Sequence, residues 1–439
     1  MNPTMNPTTN SMPSPMPNSM PDPTVAAPER MRTPQGDFDL VRFPEHARET
    51  LRAWDAADEY LLRHLGGAPG PDGTAPEPAD LSGSVVVVGD RWGALVTALA
   101  RTGGRPVQVS DSYLAQQATR LNLERNGVAA DAVRLLSTQD PLPERVDLLV
   151  IRVPKSLALL EDQLHRLAPA VHPGTIVLAA GMVAEVHTST LKLFEQIIGI
   201  TRTSLAVRKA RLIHSTPEPG LVRPADPWPH SYALPDDIGV LSGRTVVNHA
   251  GVFCAEHLDL GTRFLLRHLP RGPRSAGSGG GPGAVTRVLD LGCGNGVLGT
   301  AAALADPEAE LTFADESYQA VASARDTFEA NTFEANTSGP DAGSGRAARF
   351  LVGDGTEGIA PGSVDLVLNN PPFHSYQAAS DATAWRMFTG AREALRPGGE
   401  LWVVGNRHLG YHVKLKRLFG GCQVVASDRK FVVLRAVRT

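Results

Sequence analysis

The chain has 439 residues, 42% of them hydrophobic, and a formal net charge of −4. This length allows about three domains with sizeable cores. The small negative charge excludes a globally basic nucleic-acid binder, so any affinity for RNA must come from a local basic patch. Cys254, Cys293 and Cys422 show neither metal-site nor disulfide spacing, which predicts a reducing cytosol and no metal. No apolar run is long enough to cross a membrane and no secretory signal is seen, so we expect a cytoplasmic protein.

The region up to residue 34 is rich in Met, Asn, Pro, Ser and Thr and cannot bury a core. It predicts a disordered tail, 1–34, or a start site assigned too early. Three later stretches have the composition of loops. They are residues 66–84, residues 271–284 and residues 337–347, the last of which trails a tandem repeat of Thr-Phe-Glu-Ala-Asn at 327–336. We interpret the repeat as replication slippage that lengthened a helix.

Strand-like and helix-like segments alternate twice along the remainder, which predicts a parallel α/β sheet in each half. In the first half the predicted strands are 85–88, 106–110, 146–151 and 175–180. In the second half they are 287–291, 311–315, 364–369 and 400–406, followed by an antiparallel hairpin of 423–427 and 431–436. The repetition indicates an internal duplication, with a first domain at 35–225 and a second at 226–439.

A glycine-rich turn, 292–296, follows the first strand of the second half. Its glycines let the backbone approach a bound cofactor, here the methionine part of S-adenosyl-L-methionine. Asp315, at the end of the next strand, is predicted to accept hydrogen bonds from the ribose hydroxyls, with Glu316 as the alternative acid. Asp354 is predicted to face the adenine amine. The full predicted cofactor site is Asp290, Gly292, Gly294, Gly296, Asp315, Glu316, Asp354 and Asn370.

The most specific motif is Asn370-Pro371-Pro372-Phe373, directly after the predicted strand 364–369. Methyl transfer to an exocyclic amine needs acceptors at the amine hydrogens, and the Asn370 side chain and the Pro371 carbonyl can supply them. Both prolines fix φ and lack a backbone donor, so the carbonyls of the turn are free to accept. Phe373 offers a face on which a flipped base can stack. We predict these four residues as the catalytic set.

A nicotinamide-dependent enzyme is a competing interpretation of the glycine turn. Gly294, Gly296 and Gly299 also satisfy the dinucleotide-binding spacing, with Asp315 about 20 residues further on. A dehydrogenase, however, has no use for Asn-Pro-Pro-Phe directly after the strand 364–369. The two motifs together therefore favour a methyltransferase.

The first half lacks both motifs. Arg91 and Trp92 stand where the second half has Gly294 and Asn295, and their side chains would fill the cofactor space. At the acceptor motif the first half has Arg-Val-Pro-Lys at 152–155. We therefore predict two tandem class I (Rossmann-like) S-adenosylmethionine methyltransferase folds, of which the first is degenerate and the second catalytic. The first copy is interpreted as an RNA-binding or positioning domain, with a purely structural scaffold as the alternative.

The segment 230–270 lies between the two halves. It contains Leu-Asp-Leu-Gly-Thr at 258–262, and two interpretations stay open for it. It covers the cofactor, with Gly261 and Thr262 near the methionine group, or it is an ordinary hairpin followed by an amphipathic helix.

From about residue 35 onward the chain resembles the ribosomal RNA guanine-N2 methyltransferases with a duplicated methyltransferase fold. The motif 370–374 and the degenerate first copy carry this resemblance to the group. Segments 51–59, 201–206 and 406–411, with Lys414, Lys416 and 430–431, are more similar to the large-subunit member than to the small-subunit member. The resemblance implies methylation of N2 of one guanine in 23S ribosomal RNA by an S-adenosylmethionine-dependent monomer.

Basic residues cluster in both halves, which agrees with an RNA partner, although a charge run is usually a solvated surface. The clusters are Arg202, Arg208, Lys209 and Arg211 in the first half, and Arg407, His408, Lys414, Lys416, Arg417, Arg429 and Lys430 in the second. Three alternative functions remain: methylation of 16S ribosomal RNA, methylation of release-factor glutamine, and a non-catalytic RNA-binding assembly factor. Release-factor enzymes normally carry Tyr after the prolines, and an assembly factor needs no intact methyltransferase motifs.

Overall fold

The computed structural model describes residues 29–45, 50–269, 286–332, 348–372 and 377–439, with only the backbone for 377–380. The first domain opens with a hairpin of β1 (Met31–Thr33) and β2 (Gly36–Phe38), followed by helix α1 (Ala56–Leu65). Its main strands are β3 (Val85–Val88), β4 (Val107–Ser110), β5 (Arg134–Ser137), β6 (Val146–Arg152), β7 (Val171–Met182), β8 (Gly199–Thr203) and β9 (Ala210–Pro217). Its other helices are α2 (Ala94–Arg101), α3 (Tyr113–Arg125), α4 (Leu157–Leu167) and α5 (Thr188–Ile197).

The second domain repeats this plan. It opens with the hairpin β10 (His230–Ala233) and β11 (Thr245–Asn248) and helix α6 (Leu260–Leu266). Its main strands are β12 (Arg287–Leu291), β13 (Glu310–Asp315), β14 (Ala348–Val352), β15 (Val364–Asn369), β16 (Leu395–Asn406), β17 (Gln423–Ser427) and β18 (Phe431–Val437). Its other helices are α7 (Val297–Ala305), α8 (Tyr318–Thr332), α9 (Gln377–Ala394) and α10 (Tyr411–Phe419).

The two main sheets have the same strand order. The first runs β5-β4-β3-β6-β7-β9-β8 and the second β14-β13-β12-β15-β16-β18-β17. In each sheet the first five strands are parallel, and the strand that follows them pairs antiparallel on both sides. This order confirms the prediction of two tandem methyltransferase folds. The antiparallel pair β8 and β9 was not predicted for the first domain.

The central strands are buried on both faces. All four valines of β3 are at most 1% exposed, because helices cover both sides of a parallel sheet. Such strands appear in sequence as apolar runs, uninterrupted in β3 and broken by Asp290 in β12 and by Asp365 in β15, and all three were predicted at their observed bounds. Within the described residues, no helix is long and apolar enough to span a bilayer.

Several predicted features lie outside the described residues: most of the tail (1–28), the insert 271–284, residues 333–336 of the tandem repeat with the trailing loop 337–347, and Phe373 with His374. The predicted tail boundary at residue 34 is wrong. Residues 31–33 form β1, and the side chain of Met31 is fully buried in the first-domain core beside Phe38. A single apolar anchor in a polar stretch has no periodicity, so the pattern of the sequence did not show it.

Strand register makes the two copies comparable residue by residue. Val88 pairs with Ile151 in the first sheet, and Leu291 pairs with Asn369 in the second. Because Val88 and Leu291 both precede the first glycine of the turn, Arg152 occupies the place of Asn370. The same comparison makes Arg91 the counterpart of Gly294.

Arg152 is fully buried at the end of β6. Its Nε donates to Asp58 Oδ1 at 2.7 Å, and one Nη donates to Asp55 Oδ2 at 2.8 Å. Asp55 and Asp58 open helix α1, which thereby becomes attached to the sheet. Arg91 joins the network through Glu185, at 2.8 Å. Ion pairs therefore fill the place that corresponds to the glycine turn and acceptor of the second domain.

The domains meet through equivalent residues after β4 and β13. Tyr113 N donates to Glu316 O and Tyr318 N donates to Asp111 O, both at 2.9 Å. The side chains repeat the exchange, since Ser112 Oγ donates to the Glu316 carboxylate at 2.5 Å and Ser317 Oγ to the Asp111 carboxylate at 2.7 Å. The contact therefore has an approximate two-fold axis, and it fixes the turn that follows Asp315.

Replacing Arg152 by Met should lower the free energy of unfolding of the first domain by about 3–5 kcal/mol, because it leaves the buried Asp58 carboxylate without its ion-pair partner. The measurement is a urea titration followed by hydrogen exchange of the β6 amides. Arg125→Met is the matched control, since its pair with Asp39 is about one-third exposed and should contribute under about 1 kcal/mol. Equal effects of the two substitutions would contradict the buried-network interpretation.

Candidate functional site

A cavity of about 580 Å³ opens at the carboxyl ends of β12, β13 and β15. This edge is where parallel α/β sheets bind ligands, because their loops and helix N-termini converge there. The cavity brings together most of the predicted site. Its lining includes Gly292, Gly294, Asp315, Glu316, Asp354, Asn370, Pro371 and Pro372.

The glycine turn has the shape that the sequence predicted. Gly292, Gly294 and Gly296 all have φ between +52° and +74°. A Cβ on Gly292 would lie 2.7 Å from the Met387 side chain, and one on Gly296 would lie 2.7 Å from the backbone of α8. A Cβ on Gly294 would meet nothing within 4 Å. The backbone at Gly294 is thus open, which fits a cofactor lying against the turn.

Asp315 supports this turn. Its carboxylate accepts from the backbone N–H of Gly294 at 3.0 Å and from that of Ser317 at 3.1 Å. Burial raises the pKa of Asp315, while these hydrogen bonds act in the opposite direction. The carboxylate therefore lies at the cavity wall and links the glycine turn to the end of β13.

Glu316 also lines the cavity, but its carboxylate is engaged by the first domain through Ser112. Burial raises the pKa of Glu316 to about 7. The sequence alone left Asp315 and Glu316 as alternatives for one role. In the structure Asp315 contacts the glycine turn, whereas Glu316 contacts the other domain.

Asp290 is not among the residues that line the cavity. It is 1% exposed, and its Oδ2 accepts from the backbone N–H of Gly299 at 2.7 Å, beneath the glycine turn. Burial raises the pKa of Asp290 to about 8. The structure thus places Asp290 under the turn, where it anchors the start of α7.

Asp354 lies on the opposite wall and forms an ion pair with Arg386 of α9. Arg386, Thr383 and Met387 line the same wall. These three residues were not predicted, because the amphipathic pattern of α9 does not distinguish a cavity wall from an ordinary helix surface.

Asn370 is held by two hydrogen bonds at the end of β15. Its Nδ2 donates to Asp259 Oδ2 at 3.0 Å and to Thr262 Oγ1 at 2.9 Å. Its Oδ1 is buried and, among the described residues, has no hydrogen-bond partner. An unpaired buried acceptor costs about 1–3 kcal/mol, and here it belongs to a residue that lines the cavity.

The segment before β12 has the hairpin and the helix of its second interpretation, and of Gly261 and Thr262 only Thr262 lines the cavity. It forms the hairpin β10–β11 and helix α6, and it also supplies Phe253, Cys254, Leu258, Asp259 and Thr262 to the cavity lining. Asp259 was not predicted as a site residue. Its signal was present in the sequence as an Asp that caps α6, whose side chain accepts from Thr262 N at 2.7 Å.

The first domain contributes Leu114 and Lys155 to the same cavity. Lys155 stands at the position equivalent to Phe373 and is exposed. A wall built partly by the other domain was not predicted, because sequence reasoning treated the copies separately.

In the described part of the chain, no group of three or more His, Cys, Asp and Glu side chains is placed to hold a metal ion.

Comparison with known proteins agrees with this geometry. Residues 28–219 match the RLMG N-terminal domain model, and residues 243–435 match the methyltransferase small domain model. The chain is 66% identical to the ribosomal RNA large subunit methyltransferase G of Streptomyces coelicolor, over 93% of this chain and 100% of that protein. It is 46% identical to the protein of the same name from Aeromonas salmonicida, over 91% of this chain and 96% of that protein.

Among solved structures, the fold is similar to that of the T. thermophilus 16S rRNA N2 G1207 methyltransferase in complex with AdoMet and guanosine. The TM-score is 0.67 at 20% identity, over 94% of this chain and 98% of that one. At this identity the likeness shows a shared fold with both copies present.

Proposed function

Since the chain belongs to the ribosomal RNA large subunit methyltransferase G family, we propose that it methylates the exocyclic N2 amine of one guanine in 23S ribosomal RNA, in the cytoplasm. The observation that carries this proposal is the Asn370 amide. Among the described residues its oxygen is buried without a hydrogen-bond partner, and Asn370 lines the cavity at the end of the fourth parallel strand, where we assign it to receive an amine hydrogen. The intact glycine turn and this acceptor disfavour a purely non-catalytic assembly factor.

S-adenosyl-L-methionine supplies the methyl group on a positively charged sulfur when it is bound. The residues that would hold it are those of the open glycine turn, together with the carboxylates of Asp315 and Asp354. Gly294 leaves the backbone accessible. We assign Asp315 to the ribose hydroxyls and Asp354, which pairs with Arg386, to the adenine amine. We assign Glu316 to the contact between domains, because Ser112 already donates to its carboxylate.

The chain's own contribution to the chemistry lies at Asn370 and Pro371. A guanine N2 amine is a poor nucleophile, because its lone pair is delocalised into the ring. Acceptors at its two hydrogens, Asn370 Oδ1 and the Pro371 carbonyl, favour a tetrahedral nitrogen and stabilise the positive charge that develops there. The proton becomes acidic once the nitrogen is methylated, so no strong general base is required. Phe373 remains the predicted stacking residue.

We further propose that the first domain positions the RNA. Arg208 and Lys209 lie in the β8–β9 loop and Arg202 lies near the end of β8, at the carboxyl edge of the parallel strands. Arg208 already pairs with Glu59 at 2.6 Å, so it is the least suited of the three to a phosphate. Lys155 is better placed, because it lines the cavity itself and is exposed.

Asn370→Ala should lower the single-turnover rate at saturating cofactor by roughly 10²–10³, the usual cost of losing one preorganised transition-state partner, about 2.7–4 kcal/mol. Cofactor affinity, measured by calorimetry, should stay close to that of the unmodified protein. A near-normal single-turnover rate would show that Asn370 is not the acceptor.

Asp315→Ala should weaken cofactor binding by about 1.5–3 kcal/mol, the scale of a hydrogen bond to a charged group. Glu316→Gln is the matched control: it keeps an acceptor for Ser112 and should leave the calorimetric affinity unchanged. If Glu316→Gln weakened binding and Asp315→Ala did not, the ribose role would belong to Glu316.

Lys155→Ala should raise the KM for RNA and reduce the slope of log affinity against log salt by about 1, as expected for one lost phosphate contact. Cofactor affinity should not change. Lys192→Ala, on the exposed surface of α5, is the control for total charge. Identical salt slopes for the two variants would argue for a first domain that is only a scaffold.

A further inference from the structure

The orientation of a side-chain amide decides which of its atoms can accept a hydrogen bond. Asn370 has two N–H groups and one oxygen, and a rotation of 180° about χ2 exchanges them. In one orientation the cavity meets an acceptor, and in the other it meets a donor. An amine substrate is bound productively only by the first orientation.

Two acceptors on one helix remove this ambiguity. Asp259 Oδ2 and Thr262 Oγ1 lie 3.0 Å and 2.9 Å from Asn370 Nδ2 and together take both of its hydrogens. An ionised carboxylate can only accept, so it repels the amide oxygen and attracts the nitrogen. After rotation the amide oxygen would face the carboxylate, and the Nδ2 hydrogens would lose both acceptors.

These two residues are themselves fixed. Asp259 caps α6, and the same Oδ2 atom accepts from the backbone N–H of Thr262 at 2.7 Å. Thr262 is 8% exposed, and α6 packs on β16 and β18. The pair therefore forms a rigid acceptor that is attached to the sheet and directed at the end of β15.

The degenerate copy preserves this contact with different residues. Asp55 and Asp58, the counterparts of Asp259 and Thr262 at the start of α1, receive the guanidinium of Arg152. In both copies the first turn of the helix that precedes the first strand binds the side chain that follows the fourth strand. In the second copy the bound side chain is an amide, and its oxygen, Asn370 Oδ1, remains without a hydrogen-bond partner among the described residues.

We propose that Asp259 and Thr262 are positioning residues, which lock the Asn370 amide with its oxygen toward the substrate amine. The inference deepens the proposed function and rests on the role given there to Asn370. It also has a consequence that is independent of catalysis: the Asn370 side-chain amide is protected and has a single orientation in the protein without cofactor or RNA.

The first test is NMR spectroscopy of the full chain without ligands. The Asn370 side-chain amide pair, identified by its loss in Asn370→Ala, should exchange slowly with solvent. Asp259→Ser keeps a helix-capping side chain but cannot reach Asn370, and Thr262→Val removes the hydroxyl at nearly constant shape. Both should accelerate exchange at least tenfold, and Asp259→Asn and Thr262→Ser should restore protection. Fast exchange in the unmodified protein would overturn the proposal.

The second test is a double-mutant cycle on single-turnover rates. Asp259→Ser and Thr262→Val should each reduce the rate roughly tenfold to a hundredfold, the scale of a misplaced catalytic group, with little change in the KM for RNA. In an Asn370→Ala background they should have no further effect. Asp237→Ser removes a carboxylate that pairs with Arg263 of the same helix and should leave the rate unchanged.

The outcomes separate the two proposals. If Asn370→Ala is nearly as active as the unmodified protein, the proposed function of the acceptor fails. If Asn370→Ala is inactive while Asp259→Ser and Thr262→Val are fully active, only the positioning role fails. Additive losses in the Asn370→Ala background would show that Asp259 and Thr262 act elsewhere in the cavity, and that too overturns the inference.

Discussion

The hydrogen bonds from the Asn370 amide to the Asp259 carboxylate and the Thr262 hydroxyl join two distant parts of the second domain. One part is the end of the fourth parallel strand, and the other is the helix that enters the domain before its first strand. This contact closes one wall of the cavity and determines which atom of Asn370 faces inward. The glycine turn and Asp315 line the same cavity, so the contact and the turn belong to one continuous lining.

In the first domain, the positions equivalent to the glycine turn and to Asn370 carry different side chains. There the open glycine position is occupied by Arg91, the acceptor position by Arg152, and carboxylates surround both. A buried ion network of this kind adds specificity of packing more readily than net stability. In the first domain these ion pairs fill the place at which the second domain has its cavity, so the two copies differ in what occupies the same edge of the sheet.

Sequence reasoning predicted the elements that have strong local signals. Strands β3, β12 and β15 are mostly apolar because both of their faces are covered, and Gly292, Gly294 and Gly296 mark backbone conformations that residues with a side chain rarely adopt. The roles of Asp290, Glu316 and Asp259 could not be assigned in the same way. An acid at a strand end or at the start of a helix can cap a helix, contact another domain or face a ligand, and only tertiary packing distinguishes these outcomes. Leu114 and Lys155 were missed for a related reason, since their place in the cavity depends on how two domains meet.

The reciprocal contact at Ser112 and Ser317 has the symmetry of an interface between identical subunits. Isologous interfaces, in which one patch meets its own copy, are the characteristic contact of two-fold homodimers. Here Asp111 and Glu316 exchange equivalent hydrogen bonds within one chain. The arrangement is that of a two-fold symmetric dimer within one chain, which agrees with an internal duplication. The same contact brings Leu114 and Lys155 of the first copy to the wall of the cavity in the second.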